Sequence, residues 1–155
     1  MSASQTVQKN HTTGLHRFIT KTHINLYRRT KGTIGGNIAG RSLLLLMTIG
    51  RKSGQERTTP LLYVKDGSDY ILIASYGGAP QDPLWFRNLQ ENPNVKIQVG
   101  PDVLDVTARK ANPEERARIW PMVTSQFKNF ADYQTKTTRE IPVVILTPKT
   151  QAPAS

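Results

Sequence analysis

The run Gly50-Arg51-Lys52-Ser53-Gly54-Gln55-Glu56-Arg57 gathers groups suited to holding an anion. Arg51 and Arg57 offer planar forks of donors, Lys52 a compact ammonium, Ser53 a hydroxyl and Gln55 an amide. Gly50 and Gly54 let the backbone turn sharply and bring its amides close to a ligand. Charge-assisted bonds from such groups fit phosphate or carboxylate. A solvated hairpin loop accounts for the same residues, so the rest of the chain must decide between the two. A second candidate is Ala74-Ser75-Tyr76-Gly77-Gly78, where turn amides and the Ser75 hydroxyl can orient a carbonyl.

Charge favours a ligand. The net charge is +10. Residues 1–60 hold ten Lys or Arg against the single acid Glu56, and residues 61–155 hold eleven against ten. Nearly all the excess lies in the first 60 residues, which points to a polyanionic partner: nucleic acid, an anionic membrane surface or a multiply charged small molecule. The three histidines, His11, His16 and His23, are all near the N-terminus, and cysteine is absent. Ser-His-Asp catalysis, thiolate chemistry and Cys- or His-ligated zinc therefore have no residues to use in the globular part. An enzyme built this way relies on a bound cofactor. No metal is expected. The lack of cysteine fits a reducing cytoplasm, and no signal peptide or apolar run of roughly 20 residues is seen.

The elements that must position these groups are mostly strands. The apolar run Leu43 to Ile49 is the first, Thr58 to Lys65 the second and Tyr70 to Ser75 the third, with Asp66-Gly67-Ser68-Asp69 as a tight turn. Asn94 to Val99 and Val103 to Arg109 form a hairpin about Gly100-Pro101-Asp102, and Ile141 to Thr147 is the last strand. Helices are expected over Pro83 to Glu91 and from the N-cap Asn112 with Pro113 at the first position, the latter kinked or ended by Pro121 near Trp120. Trp85 and Trp120 read as core. Residues 14–30 read as a basic amphipathic helix with Leu15, Phe18, Ile19, Thr22 and Leu26 on one face, followed by a connector of Gly32, Gly35, Gly36 and Gly40. That helix packs on the core or lies on an anionic membrane. Six antiparallel strands joined by hairpins predict a small barrel, whose closure removes sheet edges.

Further landmarks follow in order: Pro60-Leu61-Leu62-Tyr63, Asp82-Pro83-Leu84-Trp85-Phe86-Arg87-Asn88-Leu89, Asn92-Pro93, Thr107-Ala108-Arg109, Glu114-Glu115-Arg116, Trp120-Pro121 and Ile141-Pro142-Val143-Val144. With the cationic loop and the Ala74–Gly78 turn, they make residues 15–148 resemble the deazaflavin-dependent nitroreductase family of actinobacteria. The resemblance implies a mainly β, α+β fold: a flavin-reductase or FMN-binding-like split β-barrel with a few peripheral helices. The polar segments 1–13 and 149–155 read as a disordered N-terminus and a flexible tail around one domain over 14–148, which includes the basic helix 14–31. The resemblance further implies coenzyme F-420, an 8-hydroxy-5-deazaflavin with a phosphodiester and a glutamate tail. Arg51, Lys52, Ser53, Gln55 and Arg57 would grip the phosphate and acidic tail. Pro60 and Tyr63 would line the cofactor groove, and Ala74, Ser75, Tyr76, Gly77, Gly78 and Asn88 would lie near the ring. Phe127, Phe130 and Tyr133 would shape the substrate pocket, with Ser75 and Tyr133 as the catalytic candidates. Two departures stand out. The family usually has Lys where this chain has Tyr76, and its best-known member has tyrosines at the positions of Phe127 and Phe130, which here lack a hydroxyl.

The resulting expectation is a cytoplasmic reductase that passes hydride from reduced F-420 to a quinone, a nitroaromatic or an activated enone. Peripheral association with the inner face of an anionic membrane through residues 14–31 would accompany it. Three alternatives remain open at this level: an FMN-dependent split-barrel oxidoreductase, a basic nucleic-acid-binding module and a non-enzymatic membrane-binding module. The strands lack the exposed aromatic series of a base-stacking sheet, so nucleic acid is not the expected partner.

Overall fold

The computed structural model describes residues 12–30, 37–38 and 41–149. Helix α1 spans Thr12–Thr30, followed by strands β1 (Asn37–Ile38), β2 (Arg41–Ile49), β3 (Glu56–Leu62), β4 (Val64–Asp66) and β5 (Asp69–Ile73). A single 3-10 turn at Tyr76–Gly78 leads to α2 (Leu84–Glu91). Then come β6 (Asn94–Val99), β7 (Asp102–Lys110), α3 (Pro113–Gln126), α4 (Lys128–Thr135) and β8 (Val143–Pro148).

All pairings are antiparallel, in the order β1-β2-β6-β7-β8-β5-β4 with β3 on the other edge of β2. The expected strand Thr58 to Lys65 is present but broken at Tyr63. Its first half, β3, pairs with β2 (Leu45 opposite Pro60), and its second half, β4, pairs with β5 (Val64 opposite Ile71). One run therefore joins both ends of the sheet and curls it into a split barrel. Continuing the β4–β5 register would set Pro60 opposite Ser75, yet β3 and β5 make no pairing there. Beyond Ile73 the chain stays with β8, through Ala74 N–H to the Pro142 carbonyl at 3.0 Å. The free edge of β3 and the Ala74–Gly78 turn thus diverge from one point. Pro60, which has no N–H, is tolerated because β3 pairs only on its β2 side.

Side-chain alternation divides the core. Leu44, Leu46, Leu72, Val95, Ile97, Val106, Val144 and Leu146 pack together with Trp85, Phe86 and Leu89 of α2. The opposite face of β5 and β8, with Ile71, Ile73, Val143 and Ile145, is covered by Ile119, Val123, Phe127 and Phe130 of the α3–α4 region. Asn112 caps α3 in a reciprocal box with Glu115, as the sequence indicates. Pro121 does not end α3, which runs on to Gln126. Ile119 and Val123 are buried on either side of it, and burying two aliphatic side chains, at roughly 1.5–3 kcal/mol each, offsets a helix-interior proline cost of about 3 kcal/mol. Helix α4 has no counterpart in the sequence reading.

The sequence reading of α1 needs correction at its start and its buried face. Thr12 and Thr13, expected to be disordered, are helical. Among its described side chains, Ile24 and Tyr27 face the barrel and pack on Leu45, while Leu26 is 41% exposed. The Tyr27 hydroxyl contacts the carbonyls of Leu43 and Gln98, each at 3.2 Å, and accepts from Gly100 N–H at 2.8 Å. Burial raises the Tyr27 phenol pKa. The side chains of Leu15, Phe18 and Ile19, the connector over 31–36 and 39–40, and residues 1–11 and 150–155 lie outside the described residues. Lys149, expected in the tail, is tied by its N–H to the Asp105 carbonyl at 2.8 Å.

Candidate active site

The cationic loop is the connection between β2 and β3. Gly50 N–H donates to the Gln55 carbonyl and Gly54 N–H to the Gly50 carbonyl, both at 2.8 Å, and the Ser53 hydroxyl accepts from Gln55 N–H at 3.2 Å. Gly54 adopts φ +69, which a side chain would strain. At Gly50 a Cβ would sit 2.6 Å from Ser53 Oγ, which would have to turn aside, and 3.3 Å from the Gln55 carbonyl. Lys52, Ser53, Gln55 and Arg57 are exposed, and Arg51 is half-buried. The ion pairs among the described residues involve Arg28, Lys96, Arg109, Arg116, Arg118 and Arg139. Arg51, Lys52 and Arg57 are in none of them.

Asn88 fixes this loop from below. Its position on α2 is buried, at 7% exposure, and both ends of its amide are engaged. Oδ1 accepts from Arg51 N–H at 3.1 Å and Nδ2 donates to the hydroxyl of Thr48, itself buried, at 3.2 Å. Its polar atoms thus hold the loop.

The second patch is the turn at Ala74–Gly78. Ser75 is buried and Tyr76 is 62% exposed. Tyr76, Gly77 and Gly78 have φ of +46, +63 and +81. Gly78 tolerates no side chain, because a Cβ would lie 2.7 Å from the Tyr133 carbonyl and 2.9 Å from Lys136 Cβ. The turn is thereby seated on α4. Arg139, not singled out by the sequence, anchors it. Its guanidinium donates to the carbonyls of Ala79, Ala74 and Ser75 and to Asp82. Lying in an unpatterned stretch, Arg139 gives no local signal. Lys136 meets the turn through its Cβ and sets Nζ 5.6 Å from the Tyr133 ring centre.

Tyr63, at the break between β3 and β4, is half-buried and packs on Tyr70 with ring centres 5.5 Å apart. Burial raises its phenol pKa, a Ser42 hydrogen bond opposes this, and Tyr70 adds to the rise. Phe127 and Phe130 are 6% and 7% exposed, packed edge to face at 5.8 Å in the core under α3 and α4. Tyr133 is the half-buried member of that series, 6.1 Å from Phe130. Among the described residues no cluster of His, Asp or Glu could hold a metal ion, and no helix is long and apolar enough to cross a membrane.

The sequence matches the F420H(2)-dependent quinone reductase family over residues 19–148. The chain belongs to that family. Its cofactor is coenzyme F-420, and it is an oxidoreductase. An F420H(2)-dependent quinone reductase of Mycobacterium tuberculosis (H37Rv) is 46% identical over 129 residues, which cover 81% of this chain and 87% of the relative. A solved F420-H2 dependent reductase (FDR-A) superposes with TM-score 0.62 at 43% identity, covering 67% of this chain and 92% of that one. A FAD-binding protein from Mesorhizobium loti shares the fold, with TM-score 0.52 at 15% identity and coverage of 81% and 89%. The FMN-dependent, nucleic-acid and non-enzymatic readings are not favoured by these matches. The donor set of the β2–β3 loop, with Arg51, Lys52 and Arg57 outside the ion pairs of the described residues, is of a kind that fits a polyanionic coenzyme.

Proposed function

We propose that this reductase passes hydride from reduced F-420 to an apolar quinone in the split between β3 and the Ala74–Gly78 turn. The observation that carries the reading is the loop of Arg51, Lys52 and Arg57, unpaired within the described protein and held from below by Asn88. When bound, the deazaflavin supplies the two-electron chemistry. Arg51, Lys52, Arg57, Ser53 and Gln55 bind the phosphate and glutamate carboxylates. Pro60 and Tyr63 lie along the groove, where the free edge of β3 offers backbone groups to the ring. Ala74, Ser75, Tyr76, Gly77 and Gly78 form the opposite wall. Lys136, packed on Gly78, supplies the cation that Tyr76 does not. Phe127 and Phe130 form the apolar floor of the acceptor pocket and help exclude water, and Tyr133 is the hydroxyl placed to donate to the acceptor oxygen.

The outward side of α1, with Lys21, Leu26 and Arg29 exposed, is the part left to meet an anionic bilayer that holds such a quinone. Each cation near the surface would contribute about 1 kcal/mol at low salt. The deciding experiment is a fluorescence titration with F-420 and FMN side by side, in wild type, Lys52→Ala and Arg57→Ala. F-420 should bind tightly, FMN much more weakly, and each variant should lose affinity for F-420 alone. Equal affinity for both cofactors would reject the reading, and co-sedimentation with anionic vesicles tests the α1 contact separately.

A further inference from the structure

Arg139 lies in the connection between α4 and β8, and its side chain is 16% exposed. Nε donates to the Ala79 carbonyl at 2.9 Å, and Nη2 to the Ser75 carbonyl at 2.8 Å. Nη1 donates to the Ala74 carbonyl at 3.2 Å and to Asp82 Oδ1 at 3.0 Å. A guanidinium has five N–H groups in a rigid fork, and four of these contacts end on one stretch, Ala74 to Asp82. Lysine cannot span the same set.

In a planar trans peptide the carbonyl and the N–H point in opposite directions. Arg139 binds the carbonyls of Ala74 and Ser75, so the N–H groups of Ser75 and Tyr76, on the same two peptide units, face away from it. The N–H groups of Ala74, Gly78 and Ala79 are used by the carbonyls of Pro142, Ser75 and Tyr76. Among the described residues nothing accepts from Ser75, Tyr76 or Gly77 N–H. Ser75 is right-handed (φ −75, ψ −40) and Tyr76 left-handed (φ +46), a sequence of conformations that makes successive N–H groups converge. A cation on the carbonyl end of a peptide also polarises it and strengthens its N–H as a donor.

We propose that Arg139 is a positioning residue that aims and polarises the Ser75 and Tyr76 amides toward negative charge on the coenzyme ring. This rests on the reading that the Ala74–Gly78 turn lies against that ring. When the ring hydroxyl of an 8-hydroxy-5-deazaflavin ionises, conjugation spreads the charge to the pyrimidine carbonyls, where such donors act. Arg139 therefore sets how readily the bound coenzyme ionises.

The test is an absorbance titration of bound oxidised F-420 against pH, with Kd measured on either side of the transition. Tyr76 in the turn and Asp82, Tyr133 and Lys136 around it, the other ionisable groups there, are the same in wild type and Arg139→Lys. Arg139→Lys should raise the pKa of the bound coenzyme by roughly one unit, a tenfold change in its ionisation constant, and weaken the anionic form more than the neutral one. Asp82→Asn, which keeps Arg139 but removes its counter-charge, should lower that pKa, and it stands as the second variant if Arg139→Lys does not fold. Unchanged pKa values in the variants that bind would overturn the proposal. Gly78→Ala displaces the turn itself. If only Gly78→Ala changes the titration or Kd, the turn does line the ring and Arg139 plays no part. If none of the three has an effect, the placement of the ring against this turn fails as well.

Discussion

Replacing Asn88 separates loop geometry from ring contact. Asn88→Ala removes the bonds to Arg51 N–H and to Thr48, at 3.1 and 3.2 Å. Two lost bonds, with a buried hydroxyl and an amide left unpaired, cost about 2–4 kcal/mol, or a fall in Tm of roughly 5–12 °C for a domain of this size. Losing the pre-formed loop should weaken F-420 binding about tenfold or more. Asn88→Asp keeps the shape: a carboxylate still accepts from Arg51 N–H, and the Thr48 hydroxyl can turn to donate. It places a negative charge beneath an anion-binding loop instead. Two like charges about 8 Å apart at an effective dielectric near 20 repel by about 2 kcal/mol, roughly thirtyfold in Kd. Added salt should relieve the Asp variant and leave the Ala variant little changed. The assay is fluorescence titration of F-420 at two salt concentrations, with steady-state quinone reduction at saturating coenzyme. Both variants should raise the KM for the coenzyme and retain kcat. Wild-type Kd in both would show that the loop does not hold the coenzyme. A collapse of kcat at saturation would support the ring contact that the family resemblance implies for Asn88.

Arg57→Ala and Lys52→Ala should each weaken F-420 binding by about 1.5–3 kcal/mol, ten- to a hundredfold, and unchanged titrations in both would remove the loop from the site. Tyr27→Phe leaves Gly100 N–H without its acceptor and should lower stability by about 1–3 kcal/mol in denaturant melts; an unaltered midpoint would mean that α1 is not held there. Steady-state rates should favour menadione over a nitroimidazole, because Phe127 and Phe130 have no hydroxyl to donate to a nitro group, and Tyr133→Phe should slow both; strong nitroimidazole turnover would contradict this. The Glu115 pKa is lowered to about 2, first by its Arg109 hydrogen bond and then by the Asn112 backbone bond. Being depressed on folding, it contributes stability above its ordinary value of 4.5 that is lost as pH falls toward 2. Glu115→Gln should flatten that acid limb of a Tm-versus-pH curve, and an unaltered curve would argue against it.

Local rules made the cationic loop between β2 and β3 and most strands legible. Glycine turn chemistry marks the hairpins at 67 and 100, alternation marks β6 and β7, and Asn112-Pro113 marks the start of α3. The family resemblance added the coenzyme. Tertiary structure settled the remainder, because the deciding contacts join residues far apart in the chain. Nothing near Tyr27 reveals that its hydroxyl meets Leu43, Gln98 and Gly100, so the buried face of α1 was misread from periodicity alone. Pro121 stays helical because flanking residues find a core to enter. The bend at Tyr63 arises because the strands on its two sides pair with different partners. Asn88 enters the sequence reading only through the family resemblance and Arg139 not at all, because their roles depend on backbone groups that folding brings around them. Short-range propensity specifies elements and turns, whereas burial and hydrogen-bond satisfaction across the barrel decide which polar side chains build the site.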